Sequence, residues 1–237
     1  MPVLINATAI RCIAFDAAGT LIEPSLGIGE AYALIGRRHG SRLTTAEIEA
    51  KFRQSFRKHF RPSNTNLPTD EIADKRRWQH TVREVLHDVE SVDECFDELY
   101  RHFAKSDAWR VFDDVAPTIK TLAERGYRIV IASNFDRRLH AICEQIPCLT
   151  GYPRVISTEV GFNKPAAPFF ERIVEVSQLQ PLQILMVGDD HTNDVDGARS
   201  AGLQAVWLNR DAGVERSNGS IRSLLELLDV LPTADVR

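Results

Sequence analysis

Short apolar stretches recur along this chain and alternate with segments of helical spacing. The apolar stretches are β-rich and apolar on both faces, and they cover residues 9–15, 127–132, 183–187 and 204–208. Strands of this kind are typical of a parallel sheet that is covered on both sides. The helical patterns between and after them cover residues 115–125, 137–145, 167–177 and 194–201. The alternation predicts an α/β fold built on a doubly wound parallel sheet.

One long stretch departs from this alternation. It contains only helical patterns, at residues 31–39, 45–60, 70–89 and 92–104, with a polar loop at 61–66. Thr44 or Thr45, followed by Glu47 and Glu49, resembles a helix start. We therefore predict a helical cap domain at 24–107, inserted into an α/β core made of 1–23 and 108–237. Such an insert would cover the carboxyl ends of the strands, where open α/β sheets bind ligands.

Composition narrows the classes of partner. The 237 residues carry a formal net charge of −4 and no tract of Lys or Arg, which argues against nucleic acid and anionic membranes as partners. The apolar runs are too short to span a bilayer, and the first nine residues lack the pattern of a signal peptide. We therefore expect a cytoplasmic protein. An acidic balance does not exclude a phosphate substrate, because a bound cation can invert the local field.

Polar side chains follow the first two predicted strands of the core. Asp16 ends the first strand and is followed by Gly19, so its carboxylate can face a cleft while the turn lets the backbone approach a ligand. Ser133 and Asn134 end the second, where a hydroxyl and an amide could hold an oxyanion. The alternative for all three polar residues is local, since Asp caps turns and Ser and Asn cap helices.

A cluster of acids follows a third predicted strand. Asp189, Asp190 and Asp194 place three carboxylates within six residues, and a hard, oxygen-binding cation would offset their repulsion. Magnesium fits this requirement best. Lys164 precedes the intervening helix and could neutralise a carboxylate or a phosphate. The alternatives are acids at a helix N-terminus, favoured by the helix dipole, and a solvated lysine.

These segments, in this order, resemble the four motifs of the haloacid dehalogenase-like hydrolase superfamily. The segments are residues 16–21, 133–134, 164–165 and 188–194, and the insert is placed like that family's helical type 1 cap. The stretch 133–139 is also similar to the subgroup called haloacid dehalogenase-like hydrolase domain-containing protein 3. The resemblance spans nearly the whole chain and implies a Rossmann-like core.

The resemblance also implies roles for individual residues. Asp16 would attack phosphorus and form an aspartyl-phosphate, and Lys164 would pair with Asp16 and the phosphoryl group. The implied ligands of Mg²⁺ are Asp16, the backbone carbonyl of Ala18, Asp189 and, as a support, Asp194. The implied contacts to substrate are Thr20, Ser133, Asn134 and Arg137. The substrate would be a small phosphorylated or otherwise activated metabolite.

The sequence departs from the family at Ala18. Most phosphatases of this family carry an aspartate there, which protonates the leaving alcohol and later activates water. General acid–base catalysis contributes about 10²–10⁴-fold in rate, so ordinary phosphate monoesters should be poor substrates unless another group replaces it. Candidates for that group are Glu23, His191 and a cap residue such as His39. Alternatively, the substrate has a good leaving group, as an acyl phosphate does.

Three other functions remain open from the sequence. A 2-haloacid dehalogenase also lacks the second aspartate, because a halide leaves without a proton, but it needs no metal and typically lacks the acidic group seen here. A phosphonatase-like hydrolase would need a cap lysine to form a Schiff base, and Lys51, Lys58 and Lys75 are the candidates. A catalytically weak module that binds magnesium and phosphate is the third.

Overall fold

The structure is a computed structural model that describes residues 5–60, 68–211, 213 and 219–233. Its strands are β1 (Cys12–Phe15), β2 (Ile22–Pro24), β3 (Trp109–Val111), β4 (Arg128–Ser133), β5 (Arg154–Ile156), β6 (Ile184–Gly188), β7 (Gln204–Leu208) and β8 (Ser220–Ile221). Its α-helices are α1 (Ile28–Arg38), α2 (Thr45–Phe60), α3 (Glu71–Val85), α4 (Val92–His102), α5 (Val115–Glu124), α6 (Arg138–Glu144), α7 (Ser157–Val160), α8 (Ala167–Ser177), α9 (Gly197–Ser200) and α10 (Leu227–Val230).

A six-stranded sheet in the order β5-β4-β1-β6-β7-β8 forms the centre of the core. Every pair in it is parallel. Phe15 of β1 lies level with Ile131 of β4 and Val187 of β6, so the carboxyl ends of three adjacent strands meet at one edge. One apolar core cluster packs on each face of the sheet. The predicted Rossmann-like α/β fold is confirmed.

Helices α1 to α4 form a helical insert between β2 and β3 with an apolar core of its own. The helix start predicted at Thr44 is correct: its hydroxyl accepts from the Glu47 amide, and the Glu47 carboxylate accepts from the Thr44 amide. At the start of α3, the Asp70 carboxylate accepts from the amide of Ala73 at 2.7 Å. No helix in the described part of the chain is both long and apolar enough to cross a membrane.

Several short elements were not predicted. Strands β5 and β8 have three and two residues and lie at the two edges of the sheet, too short to show a pattern. Strands β2 and β3 pair antiparallel where the chain enters and leaves the insert, and pairing across such a separation has no local signal. The helix predicted from residue 194 begins earlier, as a π-helix at His191–Asp196. The predicted loop at 61–66 lies outside the described residues, and the predicted domain bounds remain a prediction.

Candidate active site

Asp16 directly follows β1 and is buried at the carboxyl edge of the sheet. Its Oδ1 accepts hydrogen bonds from the hydroxyl of Ser133 at 2.9 Å and from the ammonium of Lys164 at 2.7 Å. Ser133 is the last residue of the neighbouring strand β4, so the parallel register itself places this donor. Two donors on one oxygen fix the orientation of the Asp16 carboxylate.

Lys164 is buried and bonded on several sides. Its Nζ also donates to Asp194 Oδ1 at 2.6 Å and to the carbonyl of Ala132 at 2.9 Å. The Asn134 side chain accepts from the backbone amide of Lys164 and donates to its carbonyl, which locks the loop in place. Burial alone would lower the pKa of Lys164, but the carboxylates of Asp16 and Asp194 outweigh it and raise that pKa. The lysine therefore stays charged.

Three carboxylates form a cluster, which we call the carboxylate cluster: Asp16, Asp189 and Asp194. One oxygen of each side chain lies within 4.8 Å of the others. Gly19 allows this approach: it has a φ of 94°, and a Cβ there would lie 2.5 Å from Asp189 Oδ2. A Cβ on Gly188 would collide with the Asp194 carboxylate in the same way. Desolvation first, and then the neighbouring carboxylates, raise the pKa values of both Asp189 and Asp194.

The carboxylate cluster has the ligands and the charge to bind a hard divalent cation. All three candidate ligands are carboxylates, the donors that Mg²⁺ prefers in proteins. Among the described residues, Lys164 is the one ammonium bonded to this cluster, so two carboxylate charges remain unbalanced within it. A cation of charge two would complete the balance.

Thr20 contacts the carboxylate cluster from its buried side. Its hydroxyl donates to Asp189 Oδ1 at 3.1 Å, and its carbonyl accepts from Arg210 at 2.8 Å. Arg210 in turn makes two bonds to the buried carboxylate of Asp114. The side chain of Thr20 is fully buried and does not line the cavity described next. The structure thus places Thr20 beside a candidate metal ligand, whereas the sequence predicted a contact to substrate.

A cavity of about 340 Å³ opens above Asp16, between the sheet and the helical insert. Its described lining includes Asp16, Ala18, Pro24, Ile28, Phe52, Phe56, Phe60, Asp74, Trp78, Trp109, Ser133, Asn134, Phe135, Asp136, Arg138, Asn163, Lys164, Asp189, Asp190, Asn193 and Asp194. This volume lies within the ordinary range for small-molecule sites, about 300–1,000 Å³. Of the residues to which the resemblance gave roles, all but Thr20 and Arg137 lie in this wall.

Arg137 lies outside the cavity, and its neighbour Arg138 lines it. The Arg137 side chain is 71% exposed and faces the carboxylates of Glu71 and Glu159. The two arginines stand where α6 begins, and successive helical residues point about 100° apart, so their side chains leave the helix in different directions. The sequence predicted Arg137 as the substrate contact, because two adjacent arginines give no sign of the rotation of the helix.

None of the candidates for a missing proton donor lines the cavity. Glu23 pairs with Arg110, His39 with Glu98, and His191 with Asp196. The candidate Schiff-base lysines Lys51, Lys58 and Lys75 are absent from the wall as well, although all three are described. The cavity therefore supplies neither of those chemistries from these residues.

Sequence reasoning missed the aromatic wall contributed by the insert. Phe52, Phe56 and Phe60 recur every fourth residue, which puts them on one face of α2. This spacing was visible in the sequence, but such a stripe normally packs into a core. Trp78 and Trp109 line the cavity and also pack on apolar neighbours. Asp74, a buried acid of α3, was missed because a lone helical aspartate has no distinguishing pattern.

Fold and site together define a class: a Rossmann-like α/β protein with a lysine–carboxylate site at the sheet edge, beneath a helical insert. The chain belongs to the haloacid dehalogenase-like hydrolases, whose family model matches residues 10–202. It is 27% identical over 230 residues to human haloacid dehalogenase-like hydrolase domain-containing protein 3, with 94% of this chain and 90% of the relative covered.

Solved structures share the fold. A defluorinating L-2-haloacid dehalogenase superposes with a TM-score of 0.74 at 18% identity, over 98% of this chain and 99% of that chain. YfnB of Bacillus subtilis, a haloacid dehalogenase-type protein bound to magnesium, gives a TM-score of 0.72 at 22% identity, over 94% and 98%. At such identities the likeness establishes the fold and not the reaction.

Proposed function

We propose that this protein is a magnesium-dependent phosphoryl hydrolase in which Asp16 is the nucleophile. The observation that carries the proposal is the position of Asp16. One oxygen of its carboxylate accepts hydrogen bonds from Ser133 and Lys164. The same carboxylate belongs to the carboxylate cluster with Asp189 and Asp194. A dianionic phosphoryl group approaches a carboxylate only where positive charge offsets the repulsion. Lys164 supplies one such charge. The carboxylate cluster and the Ala18 carbonyl would hold Mg²⁺, which would supply the rest.

The residues of the chain then act in two steps. An oxygen of Asp16 bonds to phosphorus while the bond from phosphorus to the leaving oxygen breaks, and the leaving group departs with the electron pair. Water next attacks phosphorus, which releases phosphate and regenerates the Asp16 carboxylate. Ser133 and Lys164 hold Asp16 in place, and Asn134 positions the lysine backbone. The substrate is a small phosphorylated or otherwise activated metabolite.

Dehalogenation is the second candidate, because Ala18 supplies no acid and a halide leaves without a proton. The same Asp16 would attack carbon and release halide. That reaction does not require the negative charge that Asp189 and Asp194 place beside the nucleophile. Phosphoryl transfer does require it, because these carboxylates would hold a cation that neutralises the phosphoryl oxygens.

A substrate panel distinguishes these functions. We expect Mg²⁺-dependent phosphate release from acetyl phosphate and aryl phosphates, and a phosphoenzyme that survives acid quench and is lost in base. No chloride release from 2-chloropropionate is expected, with or without metal. Chloride release without metal would instead establish the dehalogenase, and no turnover of any compound would favour a binding module.

Magnesium is expected to stabilise the fold. At free Mg²⁺ of ten times its dissociation constant, the free energy of unfolding should rise by about 1.4 kcal/mol. For a chain of this size that corresponds to a rise in Tm of about 3–6 °C, measured by calorimetry against an EDTA control. Asp189→Asn should remove most of the increment, whereas the same change at the exposed Asp113 should keep it. An equal Mg²⁺ effect in both variants would argue against this site.

A further inference from the structure

The helical insert presents a continuous row of aromatic rings to the cavity. Phe56 of α2 stacks between Phe52 and Phe60, with ring centroids 5.6 and 4.9 Å away, and the ring of Trp78 on α3 lies 4.4 Å from that of Phe60. All four rings line the cavity, and each is only partly buried. Aromatic groups bind partners of the same kind by offset or edge-on contacts at such separations.

The side nearer the sheet continues this surface. Trp109 and Phe135 meet edge to face at 5.7 Å, and both line the cavity. Phe135 follows Ser133 and Asn134 directly, so an apolar surface begins two residues from the hydroxyl that bonds Asp16. A group attached to phosphorus at Asp16 would therefore extend toward aromatic rings.

Charge in the outer cavity is unfavourable for a second anion. Among the described lining residues the cationic side chains are Lys164 and Arg138. Lys164 is already paired with Asp16 and Asp194 of the carboxylate cluster. Arg138 is bonded through Nε to both carboxylate oxygens of the buried Asp136 and stacks on Tyr100 at 3.8 Å. The buried carboxyl of Asp74 also lines this wall.

Ala18 adds a chemical constraint to this shape. With no acid at that position, and none of Glu23, His39 and His191 in the wall, the leaving oxygen has to depart without help from these groups. A phenolic oxygen does so far more readily than an alcohol, because the pKa of a phenol is only about 10. The shape and the chemistry favour the same kind of leaving group.

We propose that an aromatic chamber binds the uncharged aryl leaving group of an aryl phosphate. The chamber is formed by Phe52, Phe56, Phe60, Trp78, Trp109 and Phe135. This rests on the proposed function and names its substrate class. Asp16 bonds to phosphorus, the bond from phosphorus to the aryl oxygen breaks, and the aryloxide takes a proton from water. Hydrolysis of the aspartyl-phosphate then gives phosphate, so the products are a phenol and inorganic phosphate.

The test compares 1-naphthyl phosphate, 4-carboxyphenyl phosphate and acetyl phosphate with Mg²⁺. We expect kcat/KM to be highest for the naphthyl ester and lowest, among the aryl esters, for the carboxyphenyl ester. Phe56→Ala should lower kcat/KM for 1-naphthyl phosphate about 10-fold to 100-fold, and the ratio of naphthyl to acetyl phosphate at least about tenfold. Phe56→Leu should have a smaller effect. Gln54→Ala, exposed on the same helix, is the matched control and should leave the ratio unchanged.

Binding supplies an independent readout. 1-Naphthylphosphonate cannot be hydrolysed at an aryl oxygen, and its binding should change the fluorescence of Trp78 and Trp109 with an affinity that Phe56→Ala weakens. Unchanged affinity in that variant, or a preference for the carboxyphenyl ester, would overturn the aromatic chamber while acetyl phosphate turnover upheld the hydrolase. No turnover of acetyl phosphate and no phosphoenzyme would overturn the proposed function, and the substrate class with it.

Discussion

Asp16→Asn is expected to lower phosphate release from acetyl phosphate by about 10⁴-fold or more, as removal of a nucleophile does in enzymes with a covalent intermediate. The amide keeps the size of the side chain and can still accept from Ser133 and Lys164, whose bonds to Asp16 are 2.9 and 2.7 Å long. It has no carboxylate oxygen to form the acyl phosphate. The acid-stable phosphoenzyme should therefore disappear together with turnover.

The control for this variant is an identical change elsewhere. Asp113→Asn alters an exposed acid outside the cavity and should keep the wild-type rate. Both variants should melt cooperatively, since Lys164 retains its bond to Asp194 when Asp16 is neutral. If Asp16→Asn kept the wild-type rate, the nucleophile would have to be another group and the proposed mechanism would be wrong.

The sequence predicted the inner sheet because each of its long strands is apolar on both faces, as a doubly covered strand must be. The position of the candidate site followed from the same patterns. Once strands ending near Asp16, Ser133 and Gly188 are parallel neighbours, their carboxyl ends must meet at one edge. The structure does bring Asp16, Lys164 and Asp189 together there, although the roles assigned to them remain predictions.

What the sequence could not predict depends on rotation and on distant pairing. The choice between Arg137 and Arg138 is set by the rotation of α6 about its axis, which two adjacent arginines leave ambiguous. Strands β2 and β3 pair across the whole insert, so neither carries a local sign of its partner. The aromatic residues of α2 were visible as a stripe, but whether a stripe faces a core or a cavity depends on what packs against it.

Ala18→Asp is expected to restore the missing acid and to widen the range of substrates. The methyl group of Ala18 is exposed to the cavity, so a longer side chain has room to enter. Benzyl phosphate and phenyl phosphate are the substrates to compare, because each carries one ring. Benzyl phosphate releases an alcohol, whereas phenyl phosphate releases a phenol. General acid catalysis should raise kcat for benzyl phosphate by about 10²-fold and at most about 10⁴-fold.

The phenyl ester should gain much less, since its leaving oxygen needs little protonation. Ala18→Asn has nearly the same size and cannot donate a carboxylic proton, so it separates acid catalysis from a change of shape. A gain of equal size in the Asn variant would assign the effect to packing in the cavity. No gain for benzyl phosphate in the Asp variant would mean that another group already protonates the leaving oxygen, and the buried carboxyl of Asp74 would be the first to replace.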